Sequence, residues 1–418
     1  MSTSEEKISV EEAQRRARAA VTRLGDEEID LADAYGRVLA ADVVSDMDVA
    51  PFDNTAMDGF AVIADDLADA SPDHPVTLRV VAHEGAGDVF RGPLASGTTV
   101  RIMTGAPIPE GCDAVVKYEE VRGGLARGDD ATFTAPAKPG ANIRRAGEEF
   151  RAGDVVLRAG ERVNPYAMGM LASAGATRVT VVRQPVVAVF AIGSELVDPG
   201  VRPTPGKIRN SNTMCVAGLV RDAGARVRVY PTVADDRDAI RAQVAQALAD
   251  CDAVVTAGGA SKGDFDFING VIAELGTVVF DYVNMRPGKR QTMGVVDGKP
   301  VYGLSGNPAA AAVGFELLVR PALNVMAGVG EAGRPTVRAR LSRDVRKKET
   351  RRFYERGLVA RDERGEWVAT PFRGQSSALL GALQRCNALI VIPEESLGMQ
   401  AGDEVTCLRL DMPEGAQA

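Results

Sequence analysis

Ala253-Val-Val-Thr-Ala-Gly-Gly-Ala-Ser-Lys-Gly-Asp-Phe-Asp266 decides the fold, because a strand-like apolar run ends there at paired glycines. Glycines at the end of a strand let backbone amides approach an anion without Cβ hindrance, and a helix that follows points its free N–H groups at the same anion. Asp264 and Asp266 add the oxygen ligands that hard cations prefer. The stretch therefore predicts a phosphate-binding turn with a divalent cation beside it.

The alternation of strand and helix patterns extends on both sides of this turn, from residue 185 to residue 330. Apolar strand patterns alternate with helical patterns, the strands at 186–192, 225–233, 252–257 and 277–283 and the helices at 212–223, 236–248 and 266–275. A long helix is expected to start at Asn307, because Asn is a favourable N-cap and Pro308 suits the first turn. This alternation predicts a mainly parallel sheet covered on both faces.

Two β-rich regions flank this unit, at residues 76–136 and after residue 330, where short β-like runs alternate with Gly, Pro and Asp turns. Ser9 and Glu12 form a capping box that predicts an N-terminal helix, on which residues 141–183 are expected to pack. The 418 residues are too many for one core.

The predicted fold class is therefore α/β plus all-β. We expect an elongated multidomain chain with a central α/β domain, a small β domain inserted near the N-terminus, and a C-terminal β barrel, with a sandwich as the alternative. The predicted domains are 1–45 with 141–184 (helical and linker), 46–140 (small β), 185–330 (α/β) and 331–418 (β barrel).

The composition excludes several classes of function. A net charge of −8 disfavours a surface for nucleic acid or for an anionic membrane. Five cysteines without a C-x-x-C pair indicate reduced thiols, and the two histidines, His74 and His83, favour carboxylates with Mg²⁺ over a Ser-His-Asp arrangement. No apolar run approaches the ~20 residues of a membrane span, and the polar N-terminus lacks a signal-peptide core, so we predict a cytoplasmic location.

Polar loops follow four of the predicted strands. Because ligands collect beyond the carboxyl ends of parallel strands, the loops are expected to meet at one edge of the sheet. The loops are Gly193-Ser194-Glu195, Asp235-Asp236, residues 258–266 and residues 305–307. Each has a plainer interpretation: a helix cap for Asp235-Asp236, a solvated loop for Glu195, a tight turn for the paired glycines. Together they predict a site for phosphate and magnesium.

Arg286-Pro287-Gly288-Lys289-Arg290 is a second candidate for anion binding. Such charge runs are usually solvated turns. The Pro-Gly centre favours binding of a tetrahedral oxyanion, since a rigid turn holds its cations at little entropic cost. Residues 52–60 and 101–109 form two further polar loops, whose plain interpretation is an Asx-turn holding a bend.

With these motifs the chain resembles the MoeA family of molybdopterin molybdenumtransferases and is similar to the gephyrin E domain. The resemblance spans nearly the whole chain. It rests on an ordered set of specific strings at residues 36–39, 51–60, 101–109, 142–148, 193–196, 258–266, 287–289 and 306–308.

The resemblance implies a magnesium-dependent reaction in molybdenum cofactor biosynthesis. Adenylylated molybdopterin and molybdate react, the phosphoanhydride is cleaved, and AMP is released with molybdenum bound to the pterin dithiolene. The resemblance further implies that residues 185–330 bind molybdopterin, that the protein is a homodimer whose active cleft shares residues of both subunits, and that the molybdopterin adenylyltransferase is a candidate partner.

The motifs and the resemblance together assign three sets of site residues. The catalytic acids are Asp58, Glu195, Asp235 and Asp266, of which Asp235 and Asp266 are also the metal ligands. The residues that bind the pterin substrate are Thr104, Gly258, Gly259, Ser261, Gly263 and Asn307. The molybdate ligands are Arg286, Lys289, Ser305, Arg351 and Ser377.

Several positions depart from the family pattern, namely Glu149, Ser194, Ala260, Lys262, Arg286 and Ser305. Arginine for lysine keeps the charge but shifts its position. Because Arg286 and Ser305 fall where the oxyanion is expected, a paralogue selective for tungstate is one alternative function. A non-catalytic scaffold on the same fold is another, which the four acids disfavour, because a scaffold has no need for acids at one cleft.

Overall fold

The computed structural model describes residues 6–259, 267–330 and 333–416. Part of the predicted phosphate turn lies outside the described residues, including Ser261, Lys262, Gly263, Asp264 and Asp266.

The described residues up to 184 form two helices and twelve strands. The helices are α1 (Val10–Ala19) and α2 (Pro165–Ser173). The strands are β1 (Asp26–Asp30), β2 (Val43–Val44), β3 (Asn54–Thr55), β4 (Gly59–Val62), β5 (Val76–Glu84), β6 (Thr98–Ile102), β7 (Ala114–Lys117), β8 (Val121–Gly123), β9 (Asp130–Phe133), β10 (Ile143–Arg144), β11 (Val155–Leu157) and β12 (Arg178–Val182).

Strands β4 to β9 form the small β domain, a six-stranded sheet in the order β7-β4-β6-β5-β9-β8. The segments before and after it lie side by side, since β1 pairs antiparallel with β12, β2 with β11 and β3 with β10. The small β domain is therefore inserted into a unit built from two separate parts of the chain. The domain bounds themselves stay a prediction.

Helix α1 has the predicted cap, with the Glu12 N–H donating to Ser9 Oγ at 3.1 Å, but its packing corrects the expectation. Its buried face belongs to the core of the α/β unit, and the Gln14 amide donates to Leu317 O at 2.9 Å. The chain before α1 also bridges to Val283. The apolar face of α1 is therefore buried against the large apolar core of the α/β unit. Residues 26–44, by contrast, pair with the segment that precedes residue 184.

The α/β unit contains nine strands and five helices within its described residues. The strands are β13 (Val186–Ala191), β14 (Leu196–Val197), β15 (Ile208–Arg209), β16 (Arg226–Val229), β17 (Ala253–Ala257), β18 (Thr277–Phe280), β19 (Met285–Arg286), β20 (Thr292–Val296) and β21 (Lys299–Leu304). The helices are α3 (Asn212–Asp222), α4 (Arg237–Asp250), α5 (Phe267–Leu275), α6 (Pro308–Gly314) and α7 (Arg320–Met326).

The central sheet has the order β16-β13-β17-β21-β20-β18. Strands β16, β13, β17 and β21 are mutually parallel, and β20 is antiparallel to both neighbours. The antiparallel turn follows from Asp297 and Gly298, whose φ values of 49° and 75° fit the two-residue hairpin turn that Asp-Gly favours.

A π-helical turn, Phe315–Val319, joins α6 to α7. The resulting 19-residue stretch Pro308–Met326 is long and apolar enough to cross a membrane, but 89% of it is buried inside the protein. It is the core helix of the α/β unit.

The C-terminal region has seven strands and one short helix in its described residues. They are β22 (Thr336–Leu341), β23 (Val345–Arg346), β24 (Arg352–Arg361), β25 (Trp367–Pro371), β26 (Ala388–Ile392), β27 (Gly398–Met399), β28 (Glu404–Arg409) and α8 (Gly381–Arg385). Strands β24, β25, β22, β28 and β26 close into a five-stranded barrel, because β26 pairs back with β24. The predicted fold class, with a barrel rather than a sandwich, is confirmed.

Two features join the barrel to the α/β unit. Strand β19, which lies in sequence between β18 and β20 of the central sheet, pairs in parallel with the start of β24. A buried ion network surrounds Arg320, which is 2% exposed and lies 2.6, 2.7 and 2.9 Å from carboxylate oxygens of Asp222, Glu316 and Glu414. Asp222 is exposed, whereas the side chains of Arg320, Glu316 and Glu414 are buried, so their charges depend on this pairing. Arg334 adds a second cation, 2.8 Å from Asp222 and 3.3 Å from Glu316.

Candidate active site

A cleft opens at the carboxyl edge of the central sheet. Strands β13, β17 and β21 are parallel neighbours, so the loops that follow them emerge side by side. The cleft has a volume of about 680 Å³. The structure brings six of the predicted site residues into its lining: Glu195, Asp235, Gly258, Gly259, Ser305 and Asn307.

The floor of the cleft is bare backbone at Gly258 and Gly259. Their φ values are +95° and +71°, in the left-handed region that side chains disfavour. A Cβ on Gly258 would stand 2.2 Å from Ile192 O, and the Gly258 N–H donates to Leu304 O at 2.9 Å. The chain therefore passes so closely between the ends of β13 and β21 that only glycine fits there.

The adjacent acids Asp235 and Asp236 have different positions. The Ser194 N–H donates to Asp235 Oδ2 at 2.8 Å, and the Asp235 N–H donates to Ser194 Oγ at 3.0 Å. Asp236 caps α4 by accepting the Ala239 N–H at 2.8 Å. The helix-cap interpretation thus applies to Asp236, while Asp235 lines the cleft and is oriented by the preceding loop.

Glu195 lies on the same loop as Ser194, folded over Gly193. A Cβ on Gly193 would stand 2.6 Å from Glu195 Oε2. The absence of a side chain at Gly193 therefore makes room for this carboxylate at the edge of the cleft.

The donor set of the cleft fits a magnesium ion. In the part of the chain that the structure describes, no group of three or more His, Cys, Asp or Glu residues is placed to hold a metal. Glu195 and Asp235 nevertheless supply two carboxylates to one cleft. Mg²⁺ keeps several waters and is usually held by one or two carboxylates together with substrate phosphates, so two suffice.

Helix N-termini add positive potential to the cleft. Helix α3 begins at Asn212 and α6 at Pro308, both of which line it, and α4 begins just after Asp235-Asp236. The Asn212 amide donates to Gly306 O at 2.7 Å and so ties two of these loops together. The helix dipoles stabilise an anion bound there.

Asp58 and Thr104 form a separate polar cluster on the small β domain. Asp58 Oδ1 accepts the Thr104 N–H at 2.8 Å and the Thr104 hydroxyl at 2.7 Å. These hydrogen bonds hold the pKa of Asp58 below its usual range, with a smaller contribution from the charge of Arg101. Both residues are exposed, and neither lines the cleft of its own chain.

Two of the predicted molybdate ligands lie against the barrel. Arg286 stacks on the ring of Phe353 at 4.7 Å and lines a second cavity of about 400 Å³. Arg351 donates to Met285 O at 3.1 Å. Glu349 lies 3.6 Å from Arg286 and 2.5 Å from Arg351, so an acid between the two arginines offsets part of their charge.

The other three predicted molybdate ligands are placed differently. Ser305 lines the cleft, and Ser377 O accepts the Ala309 N–H at 2.9 Å at the start of α6. This contact brings a barrel loop to the rim of the cleft, where Ala378 joins the lining. Lys289 is exposed on the turn after β19. The five residues therefore fall into two groups, since Arg286 and Ser305 line different cavities.

Sequence reasoning missed two arginines near these groups. Arg356 is 1% exposed and donates to Ser376 O at 3.0 Å, behind the loop that carries Ser377. Burial lowers its pKa, although Glu355 acts in the opposite direction. The sequence feature that could have indicated Arg356 is the charged pair Glu355-Arg356 in the middle of an apolar strand pattern. Arg209 lines the cleft, and no local pattern marked it.

Comparisons with known proteins give one consistent result. Residues 8–175 match the MoeA N-terminal region (domain I and II), residues 188–325 match a probable molybdopterin binding domain, and residues 338–410 match the MoeA C-terminal region (domain IV).

Individual relatives align over nearly the full chain. The molybdopterin molybdenumtransferase of Staphylococcus aureus is 38% identical over 378 residues, which cover 90% of this chain and 89% of that protein. The molybdopterin molybdenumtransferase of Staphylococcus epidermidis is 36% identical over 401 residues, covering 95% and 94%. The crystal structure of a molybdopterin biosynthesis MoeA protein from Pyrococcus horikosii covers 98% of this chain and 100% of its own, with 30% identity and a TM-score of 0.79.

Proposed function

The chain belongs to the MoeA family of molybdopterin molybdenumtransferases and acts in molybdenum cofactor biosynthesis, and we propose that it inserts molybdate into adenylylated molybdopterin with release of AMP. One observation carries this proposal. Glu195, Asp235, the glycine floor at 258–259 and the Ser305–Asn307 turn line a single cleft that also receives the starts of α3 and α6.

In this reaction the phosphoanhydride lies on the floor formed by Gly258 and Gly259. The absence of side chains there lets the phosphates approach the backbone closely, and the helix dipoles stabilise the charge that develops as the anhydride is cleaved. Ser194 fixes Asp235 through Oδ2 and leaves Oδ1 to face a ligand. A magnesium ion held by Asp235 and Glu195 would neutralise phosphate charge and polarise the anhydride.

Molybdate is the second substrate, and two groups of residues serve it. Ser305, Asn307 and the Ser377 loop offer hydroxyl, amide and backbone donors at the cleft. Arg286, Arg351 and Lys289 lie toward the barrel, where Glu349 offsets part of the arginine charge. We assign the first group to binding beside the pterin and the second to attraction of the oxyanion. A tungstate-selective paralogue remains the alternative, because the departures Arg286 and Ser305 stand in these groups.

The same proposal includes a homodimer in the cytoplasm, supplied with substrate by the molybdopterin adenylyltransferase. Asp58 and Thr104 are exposed on the small β domain and do not line the cleft of their own chain. An ionised, hydrogen-bonded carboxylate on an exposed loop suits a role in the cleft of a second copy. Each active site then contains the α/β cleft of one subunit and the Asp58 cluster of the other.

The experiment that tests the function is AMP release by the purified protein with adenylylated molybdopterin, molybdate and magnesium. Asp235→Asn is expected to reduce the rate about 100-fold, in the range for loss of an oriented electrostatic group. Asp236→Asn is the matched control and keeps the rate, because Asn also caps a helix and Asp236 serves α4. Absence of AMP release by the unmodified protein would exclude the proposed reaction and favour the scaffold alternative.

A further inference from the structure

The segment between β13 and α3 forms an arm at the mouth of the cleft. Strands β14 and β15 pair in parallel, and the connection between them contains three prolines. The base of the arm is fixed by hydrogen bonds from the Ile208 N–H to Glu195 O at 2.9 Å, and from the Asn210 N–H to Val197 O at 2.8 Å. The base of the arm is therefore attached to the loop that carries Glu195.

Arg209 is the last residue of β15 and lines the cleft. Its Nε donates to Val201 O at 3.0 Å across the arm. Among the residues that the structure describes, neither terminal nitrogen of Arg209 has a hydrogen-bond or ion-pair partner. The hydrogen bond from Nε reduces the side-chain conformational entropy that would be lost when a ligand binds. It also leaves the two terminal nitrogens available to donate to that ligand.

The next residue anchors the backbone at this point. Asn210 is 6% exposed, and its amide nitrogen lies 2.9 Å from the hydroxyls of both Thr213 and Thr232. Its Oδ1 accepts the Thr213 N–H at 3.1 Å. Because Asn210 is held from inside the protein, Arg209 is presented on a fixed backbone rather than on a free loop.

The charged side chains of the cleft indicate which kind of ligand Arg209 suits. Within the described lining the charged side chains are Glu195, Asp235 and Arg209. Neither carboxylate forms an ion pair with Arg209, so the guanidinium charge is not offset. A phosphate ligand placed beside two carboxylates needs a cation besides any metal ion, and arginine binds phosphate through two parallel hydrogen bonds.

We propose that Arg209 binds the adenylyl phosphate of the substrate and of the AMP product. This inference rests on the proposed function and adds to it a phosphate-binding residue supplied by the arm. The ordinary alternative is a solvated surface arginine, for which removal of the charge changes no affinity.

Calorimetric titration of AMP with magnesium into the homodimer tests the inference. Arg209→Ala is expected to weaken AMP binding about tenfold or more, the range for a charged hydrogen bond to phosphate, and Arg209→Lys to restore part of it. Arg202→Ala is the matched control on the same arm, since Arg202 is exposed and does not line the cleft. It should bind AMP as the unmodified protein does.

Adenosine, which lacks the phosphate, is titrated in the second measurement. Its affinity should be the same for the unmodified protein and for Arg209→Ala, and circular dichroism checks that the variant folds. Equal AMP affinity of the two proteins, undetectable AMP binding by the unmodified protein, or an equal loss for adenosine overturns the inference. AMP release by the unmodified protein is measured separately, so a protein that turns over normally but binds AMP independently of Arg209 refutes this inference alone.

Discussion

A heterodimer of two inactive variants tests the proposal that the protein is a homodimer whose active sites are shared between subunits. Asp58→Asn removes a charge but keeps an Oδ1 that accepts both hydrogen bonds of Thr104, so the loop geometry is retained. Asp235→Asn likewise keeps an acceptor for the Ser194 N–H. Under the proposed shared site, each variant alone should lose about 100-fold in AMP release, because its charge is removed while its hydrogen bonds are kept.

The expected magnitude follows from the symmetry of a dimer. When Asp58 serves the cleft of the other subunit, a heterodimer of the two variants has one site with both substitutions and one site with neither. Such a heterodimer should release AMP at about half the rate of the unmodified dimer. When Asp58 serves the cleft of its own chain, each site carries one substitution and no activity returns. Two different affinity tags allow the heterodimer to be purified, and background activity in that fraction would refute the shared site.

Two further predictions concern stability and the floor of the cleft. Gly258→Ala should lower the free energy of unfolding by about 2 kcal/mol or more and abolish AMP release. The reason is that the new Cβ would stand 2.2 Å from a backbone oxygen, on a residue whose φ is left-handed. Gly200→Ala is the control: it has open space around it and should change the free energy of unfolding by less than about 0.5 kcal/mol. Arg320→Ala should cost about 3 kcal/mol in urea unfolding, because the buried carboxylates of Glu316 and Glu414 keep only their longer ion pairs with Arg334 and Arg162, at 3.3 and 3.8 Å. Arg338→Ala, which breaks an exposed pair at 3.7 Å, should cost about 1 kcal/mol or less. Equal midpoints within either pair of variants would contradict the corresponding argument.

The convergence of the cleft was predictable from sequence because it depends on strand order alone. Parallel strands place their carboxyl ends at one edge, so the loops after Ala191, Ala257 and Leu304 had to meet once the strands were identified. The paired glycines after β17 were predicted to let an anion approach the backbone, with a tight turn as the plainer interpretation; the structure adds the close passage of Gly258 by Ile192 O, which the sequence did not indicate. The catalytic and binding roles of these residues stay predictions.

The remaining features depend on contacts between distant parts of the chain. No local pattern indicates that Glu349 lies between Arg286 and Arg351, since β19 and β24 meet only after the barrel forms. Arg209 was not predicted for the same reason, because its position at the cleft follows from the pairing of β14 with β15. Helix α1 was assigned to the wrong neighbour, since an amphipathic pattern shows which face is apolar but not which surface covers it.

The pairing of β19 with β24 limits the movement of the barrel relative to the α/β unit. Between β18 and β20 the chain leaves the central sheet, forms β19 beside β24 and returns. Movement of the barrel away from the α/β unit would therefore break the strand hydrogen bonds of β19 and the ion pair between Arg320 and Glu414. The α/β unit and the barrel therefore behave as one rigid block. We therefore expect the cleft to exchange its ligands without a hinge between these two units.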